Sequence, residues 1–290
     1  MESRRIQQVG ERSFSVTLPK WWVEERKLRQ HDLIFMDMVP NGDLTVSARQ
    51  VSTQRKHMEI HASEVDSLPE FIILCYVKSI QSVRISGHLD YKEVSDIKKT
   101  LGILEGYTIT SENEKGIEIS FMFGDINITI DIIIQRMVYL LKLSLAAAER
   151  GDHANLESFE TSINRLQNLS KRIMGATMTD SSLRNANGIH DQDTVFFLRM
   201  IAKRLESIGN RISAIIDHKM PKEEMKLTAS LLELLERILL RNEQPAVLKA
   251  EFSRLRAQVK SQNGLLRMFD LSEDILEGQI SIIYNKKYFS

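Results

Sequence analysis

A single cysteine, Cys75, stands in the 290 residues, inside the apolar run FIILCYVKSI. One thiol closes no intramolecular disulfide and builds no cysteine-rich zinc cluster, so it is read as a buried, inert side chain. Net charge is absent too: Lys plus Arg and Asp plus Glu both number 39. A whole-chain field that would gather nucleic acid is thereby excluded, and any such surface has to be a local patch, multiplied where copies assemble. No apolar run approaches the roughly 18 residues of a membrane-spanning helix, and the start MESRRIQQVG lacks the apolar stretch of a signal peptide. The expectation is a cytoplasmic protein without membrane insertion. What the chain does have is apolar residues, 42% of the total, enough for a substantial core and about two domains.

The apolar residues fall into three regimes. From Arg4 to Ala48 the segments RIQQV, SFSVTL, LIFMDMV and DLTVS are short and rich in β-branched or aromatic residues, with Pro40-Asn41-Gly42 as a turn between the last two. Between the second and third, PKWWVEERKL places Pro19 where the first turn of a helix tolerates it. The expected order is strand, strand, helix, strand, strand. So short a unit cannot enclose an adequate core alone, because ordering entropy grows with every residue while buried area per residue is small. Interleaving with a second copy supplies the core and covers the hairpin edges.

Residues 66 to 125 change character. SLPEFIILCYVKSI fits a buried helix starting near Pro69, QSVRIS fits a strand, Asp90 and Glu93 have capping-box spacing, and YTIT and IEISFMF flank the turn-like SENEKG. From about Ile132 to Phe269 the apolar period becomes helical. Val138, Leu141, Leu145 and Ala148 form one stripe; Leu156, Phe159, Ile163 and Leu166 another; Leu198, Ile201, Leu205, Ile208, Ile212 and Ile215 a third. Leu227, Leu231, Leu234 and Ile238 continue it, as do Leu248, Phe252, Leu255, Val259, Leu266 and Phe269. Breaks near Gly151, the TDSSLRNANGIH loop, Met220-Pro221 and Gln244-Pro245 imply an antiparallel bundle.

Two resemblances follow from particular residues. GERSFSVTLPKWW followed by LRQHDLIFMDMVPNGDLTVS resembles the swapped-hairpin DNA-binding domain of the AbrB, SpoVT and MazE type. Gly10, Ser13, Val16, Leu18, Pro19, Lys20, Trp22, Leu28, Asp32, Gly42 and Leu44 fall on its pattern, with His31 where that pattern has glycine. FLRMIAKRLESIGNRISAII, residues 197 to 216, and GDHANLESFETSINRL, 151 to 166, are similar to PhoU-family helices. The whole order looks like the archaeal phosphate-uptake regulators. The resemblance implies a multidomain α+β fold: an AbrB-like DNA-binding and dimerisation domain over 1–50, a small α/β connecting module over 51–131, and a PhoU-like helical bundle over 132–290. The function it implies is transcriptional regulation in phosphate homeostasis or uptake, by a homodimer formed through the N-terminal domain on double-stranded DNA. The alternative it leaves is an adaptor whose bundle docks on a phosphate-transport or signalling protein.

The candidate DNA-facing residues are Arg4, Arg5 and Arg12, with Ser13 and Ser15 as hydrogen-bonding neighbours and Lys20 within reach of backbone phosphate. Arg4, Arg5, Arg12, Lys20, Arg26, Lys27 and Arg29 outnumber Glu2, Glu11, Glu24 and Glu25, a local excess of three positive charges that a dimer doubles. Trp21 and Trp22, adjacent on a helix, must face different ways, and Trp22 is expected to pack inward. PhoU-like domains often carry paired carboxylates four residues apart as metal ligands. The matching positions here are Glu160 with Asn164 and Glu206 with Asn210, each lacking the second charge, so a hard cation is disfavoured. His57 and His61 lie four apart in the segment linking domains, with no third ligand at a recognisable spacing. No nucleophile and base combine in a coherent set, so neither an enzyme nor a cofactor is expected.

Overall fold

In a computed structural model, the residues described are 3–38, 44–48, 57–122, 128–178, 180–189, 191–215, 221–241, 243–259 and 263–288. The fold is mixed α+β, with small sheets in the N-terminal part and a helical C-terminal region. The chain divides into two compact units, Met1–Thr53 and Gln54–Ser290.

The first unit follows the expected order. β1 (Gln7–Val9) pairs antiparallel with β2 (Ser13–Ser15), α1 (Lys20–Glu25) follows, and β3 (Phe35–Met38) pairs antiparallel with β4 (Leu44–Ser47). The Pro40-Asn41-Gly42 turn lies outside the described residues. Pro19 stands at the N-cap of α1, where its missing N–H leaves no bond unmade. Beyond the helix, Lys27 takes a left-handed φ of 53°, and its N–H donates to Glu24 O while Leu28 N–H donates to Val23 O, both at 3.0 Å. That bond pair is a Schellman ending, a position usually given to glycine.

In the second unit, β5 (His57–His61) runs parallel to β6 (Ser82–Ser86), and β7 (Tyr107–Asn113) and β8 (Gly116–Phe121) complete a sheet of order β5-β6-β8-β7. β5 corrects the reading of the His57 to His61 segment as a linker; its parallel pairing with β6 makes α2 (Leu68–Val77) a crossover helix. Ser67 caps α2, its Oγ accepting from Glu70 N at 3.4 Å. α3 (Tyr91–Leu101) opens on the expected capping box, with Asp90 N–H donating to Glu93 Oε2 at 2.8 Å and Glu93 N–H to Asp90 Oδ1 at 2.7 Å. Val83, Ile85, Ile117 and Ile119 form a core with Ile72, Tyr76, Ile97 and Leu104 from the helical side. Cys75 is buried there, and burial pushes its thiol up to about 11, so it stays protonated and inert.

Among the described residues seven helices follow: α4 (Ile130–Arg150), α5 (His153–Thr177), α6 (Ser181–Ala186), α7 (Gln192–Ile215), α8 (Lys222–Leu240), α9 (Pro245–Arg256) and α10 (Asn263–Tyr288). α6 occupies the stretch expected to be only a loop. Gly151 ends α4 at φ 69°, again with the paired bonds of a Schellman ending, here to Ala148 O and Ala147 O. The predicted stripes pack inward: Val138, Leu141, Leu145 and Ala148, then Leu198, Ile201, Leu205, Ile208 and Ile212, are all buried, and Phe159, Leu166, Leu227, Leu255 and Val259 pack half-buried against them. Leu266 is the exception. It is exposed, and Leu265, Met268 and Phe269 of α10 face the core instead. The side chain of Ile215 lies outside the described set, as do His190, His218 and Met220. Ion pairs tie helices across the surface, Lys142 to Glu236 at 2.8 Å and Arg204 to Asp274 at 2.8 Å.

Candidate nucleic-acid interface

The β1–β2 hairpin sorts its side chains by register. Gln7 lies opposite Ser15 and Val9 opposite Ser13, while Gln8 lies opposite Phe14. Directly opposed residues share a face of a two-stranded sheet. Gln7, Val9, Ser13 and Ser15 therefore form one face and Gln8 and Phe14 the other. Gly10 turns the chain at φ 74°, a conformation that glycine takes without steric cost, and Arg12 stands at the same turn. The Ser13 hydroxyl donates to Val9 O at 2.8 Å, so it braces the turn, and its oxygen remains as an acceptor. Arg4, Arg5, Arg12 and Ser15 are all exposed. Lys20 opens α1 and is exposed, 3.6 Å from Glu24 one turn along; such a surface pair contributes little and exchanges readily for another anion.

Gln7 belongs with these residues, although sequence reasoning passes over it. The signal is present: a glycine turn at residue 10 puts Gln7 across from Ser15, and a carboxamide next to two hydroxyls offers both donors and acceptors. The face thus carries Gln7, Ser13 and Ser15 around the exposed Val9, with arginines before it and at its turn.

What surrounds this hairpin is as informative. None of the described residues of the first unit is buried; Leu18, Trp22, Val23, Leu28, Ile34, Phe35 and Val46 reach only partial burial. Phe14 is 66% exposed, Leu33 76% and Trp21 60%, and Ile6, Val16, Met36 and Leu44 are exposed as well. Trp22 is the more covered of the two tryptophans, as adjacent helical positions require. His31 adopts a φ of 73°, so the turn keeps its left-handed geometry without glycine; next to it Asp32 Oδ2 accepts from Arg29 N–H at 2.6 Å.

The acidic positions of the helices have a different setting. Glu206 is buried, and its carboxylate accepts from Asn210 Nδ2 at 3.0 Å, from Lys203 Nζ at 2.6 Å and from Ser207 Oγ at 3.3 Å. Side chains of its own helix serve both its oxygens, which gives the residue a structural account. Glu160 and Asn164 sit half-buried on α5. His57 Nδ1 engages Ser82 Oγ, and His61 Nδ1 engages Ser63 Oγ at 2.8 Å, capping the short turn that follows β5. Among the described residues no three His, Cys, Asp or Glu side chains gather as a metal site would require, and no helix is long and apolar enough to cross a membrane.

Comparison with family models, curated proteins and solved structures finds no match to the chain.

Proposed function

We propose that the chain is a homodimeric DNA-binding regulator of the AbrB, SpoVT and MazE swapped-hairpin type, whose PhoU-like helices connect it to phosphate homeostasis or uptake. One observation carries the reading: a unit of some fifty residues holds a polar, arginine-flanked hairpin face yet buries none of its described side chains. Folding such a unit requires an apolar partner surface, and the same sequence in a second copy is complementary by symmetry. Pairing brings two basic segments together, which raises the number of phosphates neutralised without any net charge on the chain. The phosphate connection rests on the resemblance of 151 to 166 and 197 to 216 to PhoU-family helices.

The test is selection from random duplexes with the full-length chain, followed by titration at two salt concentrations. A preferred duplex is expected, with affinity that falls steeply as salt rises. Arg12→Ala should weaken binding about tenfold and flatten the salt slope by about one for each phosphate no longer neutralised, with dimer size and circular dichroism unchanged. Binding with no sequence preference and no salt dependence would reject the reading.

A second reading draws on α4, where exposed Ile132 and Tyr139 lie seven residues apart with Arg136 between them, its guanidinium 5.1 Å from the Tyr139 ring. That stripe fits an adaptor docking on a transport or signalling protein. Partner binding abolished by Tyr139→Glu, in a chain that binds no DNA, would favour it.

A further inference from the structure

The second unit holds two apolar clusters with no buried residue in common, one around the sheet and one among the helices. What joins them at α5 is polar. Arg165 Nε donates to Gly102 O at 2.7 Å and Asn168 Nδ2 to Ile103 O at 3.1 Å, just beyond the C-terminal end of α3. Arg172 donates through one terminal nitrogen to Tyr76 O at 3.0 Å and Ile80 O at 3.1 Å, at the C-terminal end of α2. Spacings of three and four put these three side chains on one face of α5, where they meet the negative ends of two helix dipoles. A Cβ on Gly175, three residues on, would lie 2.1 Å from Val77 O, so only glycine permits this approach.

Arg172 is the odd member. It is 2% exposed, its two carbonyl acceptors are neutral, its charge, disfavoured by burial, is favoured by the nearby Tyr107 hydroxyl, and its other terminal nitrogen is buried with no hydrogen-bond partner among the described residues. The guanidinium lies 3.8 Å from the centre of the Phe121 ring and 5.1 and 5.3 Å from those of Tyr76 and Tyr107. Its acceptors do not depend on it. Tyr76 O also takes Ser79 N–H at 3.0 Å, and Ile80 O takes the Tyr107 hydroxyl at 2.7 Å. Ser79 sits in the left-handed region at φ 58° and donates its hydroxyl to Arg172 O at 2.9 Å. The φ of Ser79 belongs to a Schellman ending of α2, with Ser79 N–H donating to Tyr76 O and Ile80 N–H to Cys75 O, both at 3.0 Å. Docking itself strips water from a cation in return for two charge-assisted bonds and ring contacts. A desolvation penalty of this kind can equal or exceed the attraction that opposes it.

We propose that Arg172 makes the docking of the α/β elements, residues 57–121, on α5 a reversible latch, held near balance because the desolvation of its guanidinium opposes the bonds that guanidinium forms. An event on the helices that moves α5 then has a discrete element to release. The proposal is independent of DNA binding.

Hydrogen exchange on the full-length chain tests it, read at the amides of Ser79, Ile80, Gly102 and Ile103, which close the α2 and α3 ends. In the unaltered protein these amides should exchange together and at least tenfold faster than those of Leu205 and Ile208 in α7. Arg172→Met keeps the reach and removes the charge; it should slow the junction amides about tenfold and leave α7 unchanged. Gly175→Val, which wedges the seam apart, should speed them and supply the rate of the open state. The latch is refuted if Arg172→Met speeds exchange as Gly175→Val does, since the arginine is then a plain strut, or if the unaltered junction is as protected as α7.

Discussion

The first unit and the second solve the same problem in opposite ways. Residues 54–290 enclose two cores in which Val83, Ile119, Met137, Leu205 and Ile208 are fully shielded within one chain. Residues 1–53 leave Phe14 and Leu33 mostly in water. Composition does not explain this, because both units are rich in apolar residues. Length does: helices of 19 to 26 residues present whole stripes to one another, whereas strands of three or four and a six-residue helix cannot wrap a centre. Among its described residues the first unit closes no core of its own, and on the proposed reading a second copy completes it.

The sharpest way to break this contrast is a pair of substitutions. Leu205→Ala removes a fully buried side chain and should cost about 2–5 kcal/mol, independent of protein concentration. Phe14→Ser alters a side chain that is mostly exposed in one chain, where a surface change should count for within about 0.5 kcal/mol. If Phe14 is buried between copies, the loss is about 1.5–3 kcal/mol per copy, and it appears as a concentration-dependent melting of the first unit and a shift to monomer. Equal stability of the Phe14→Ser protein at all concentrations, with its dimer intact, would mean that the apolar face is not the pairing surface.

Much of the second unit is legible in the sequence because its determinants are local. Asp90 and Glu93 are three residues apart, and the helical stripes repeat within single segments. β5 escapes notice because HMEIH is short and its partner β6 lies some twenty-five residues away; Met58 and Ile60 alternate with polar residues too briefly to stand out. α6 is hidden in a polar stretch that reads as a loop. Arg172 cannot be found from KRIMG, since one of two adjacent cations in an amphipathic helix reads as solvated, and only the fold brings Tyr76, Tyr107 and Phe121 around it. At the hairpin the arginines and serines are legible from the resemblance, while Gln7 needs the strand register.

Alkaline pH separates the units by a smaller effect. Tyr107 is 5% exposed, and its phenol is pushed up to about 12, chiefly by burial, against which nearby Arg172 acts in the other direction. Burial likewise raises Tyr76. A folded-state value above the ordinary 10 means that the contribution is fully present below about pH 10 and is lost as pH rises toward 12. For Tyr107 the full loss amounts to about 2–3 kcal/mol. The second unit should therefore soften between those limits, followed by circular dichroism and by phenolate absorbance. Tyr107→Phe should remove that titration step while giving up about 1 kcal/mol for the bond to Ile80 O at pH values where the phenol is protonated. An unchanged alkaline transition in Tyr107→Phe would move the cause to Tyr76.

The smallest effect lies in the first unit, at two residues of similar backbone geometry. Gly10 has φ 74° and His31 φ 73°, and a Cβ added at Gly10 would meet nothing within 4 Å. Steric crowding from other parts of the chain is thus removed from the comparison, and what remains is the intrinsic cost of a left-handed L-residue, roughly 1–2 kcal/mol, set against the extra freedom that glycine loses on folding, roughly 0.5–1 kcal/mol. His31→Gly should stabilise the first unit by up to about 1 kcal/mol, and Gly10→Ala should destabilise it by a similar amount. Both residues lie in the first of the two compact units, so the effect is read in the melting of residues 1–53. Differential scanning calorimetry of the two variants, at one protein concentration, resolves the sign. A His31→Gly protein that melts lower than the unaltered chain would show that the imidazole makes an interaction worth more than its backbone strain, and repeating the scan at a second protein concentration would test whether the proposed second copy supplies it.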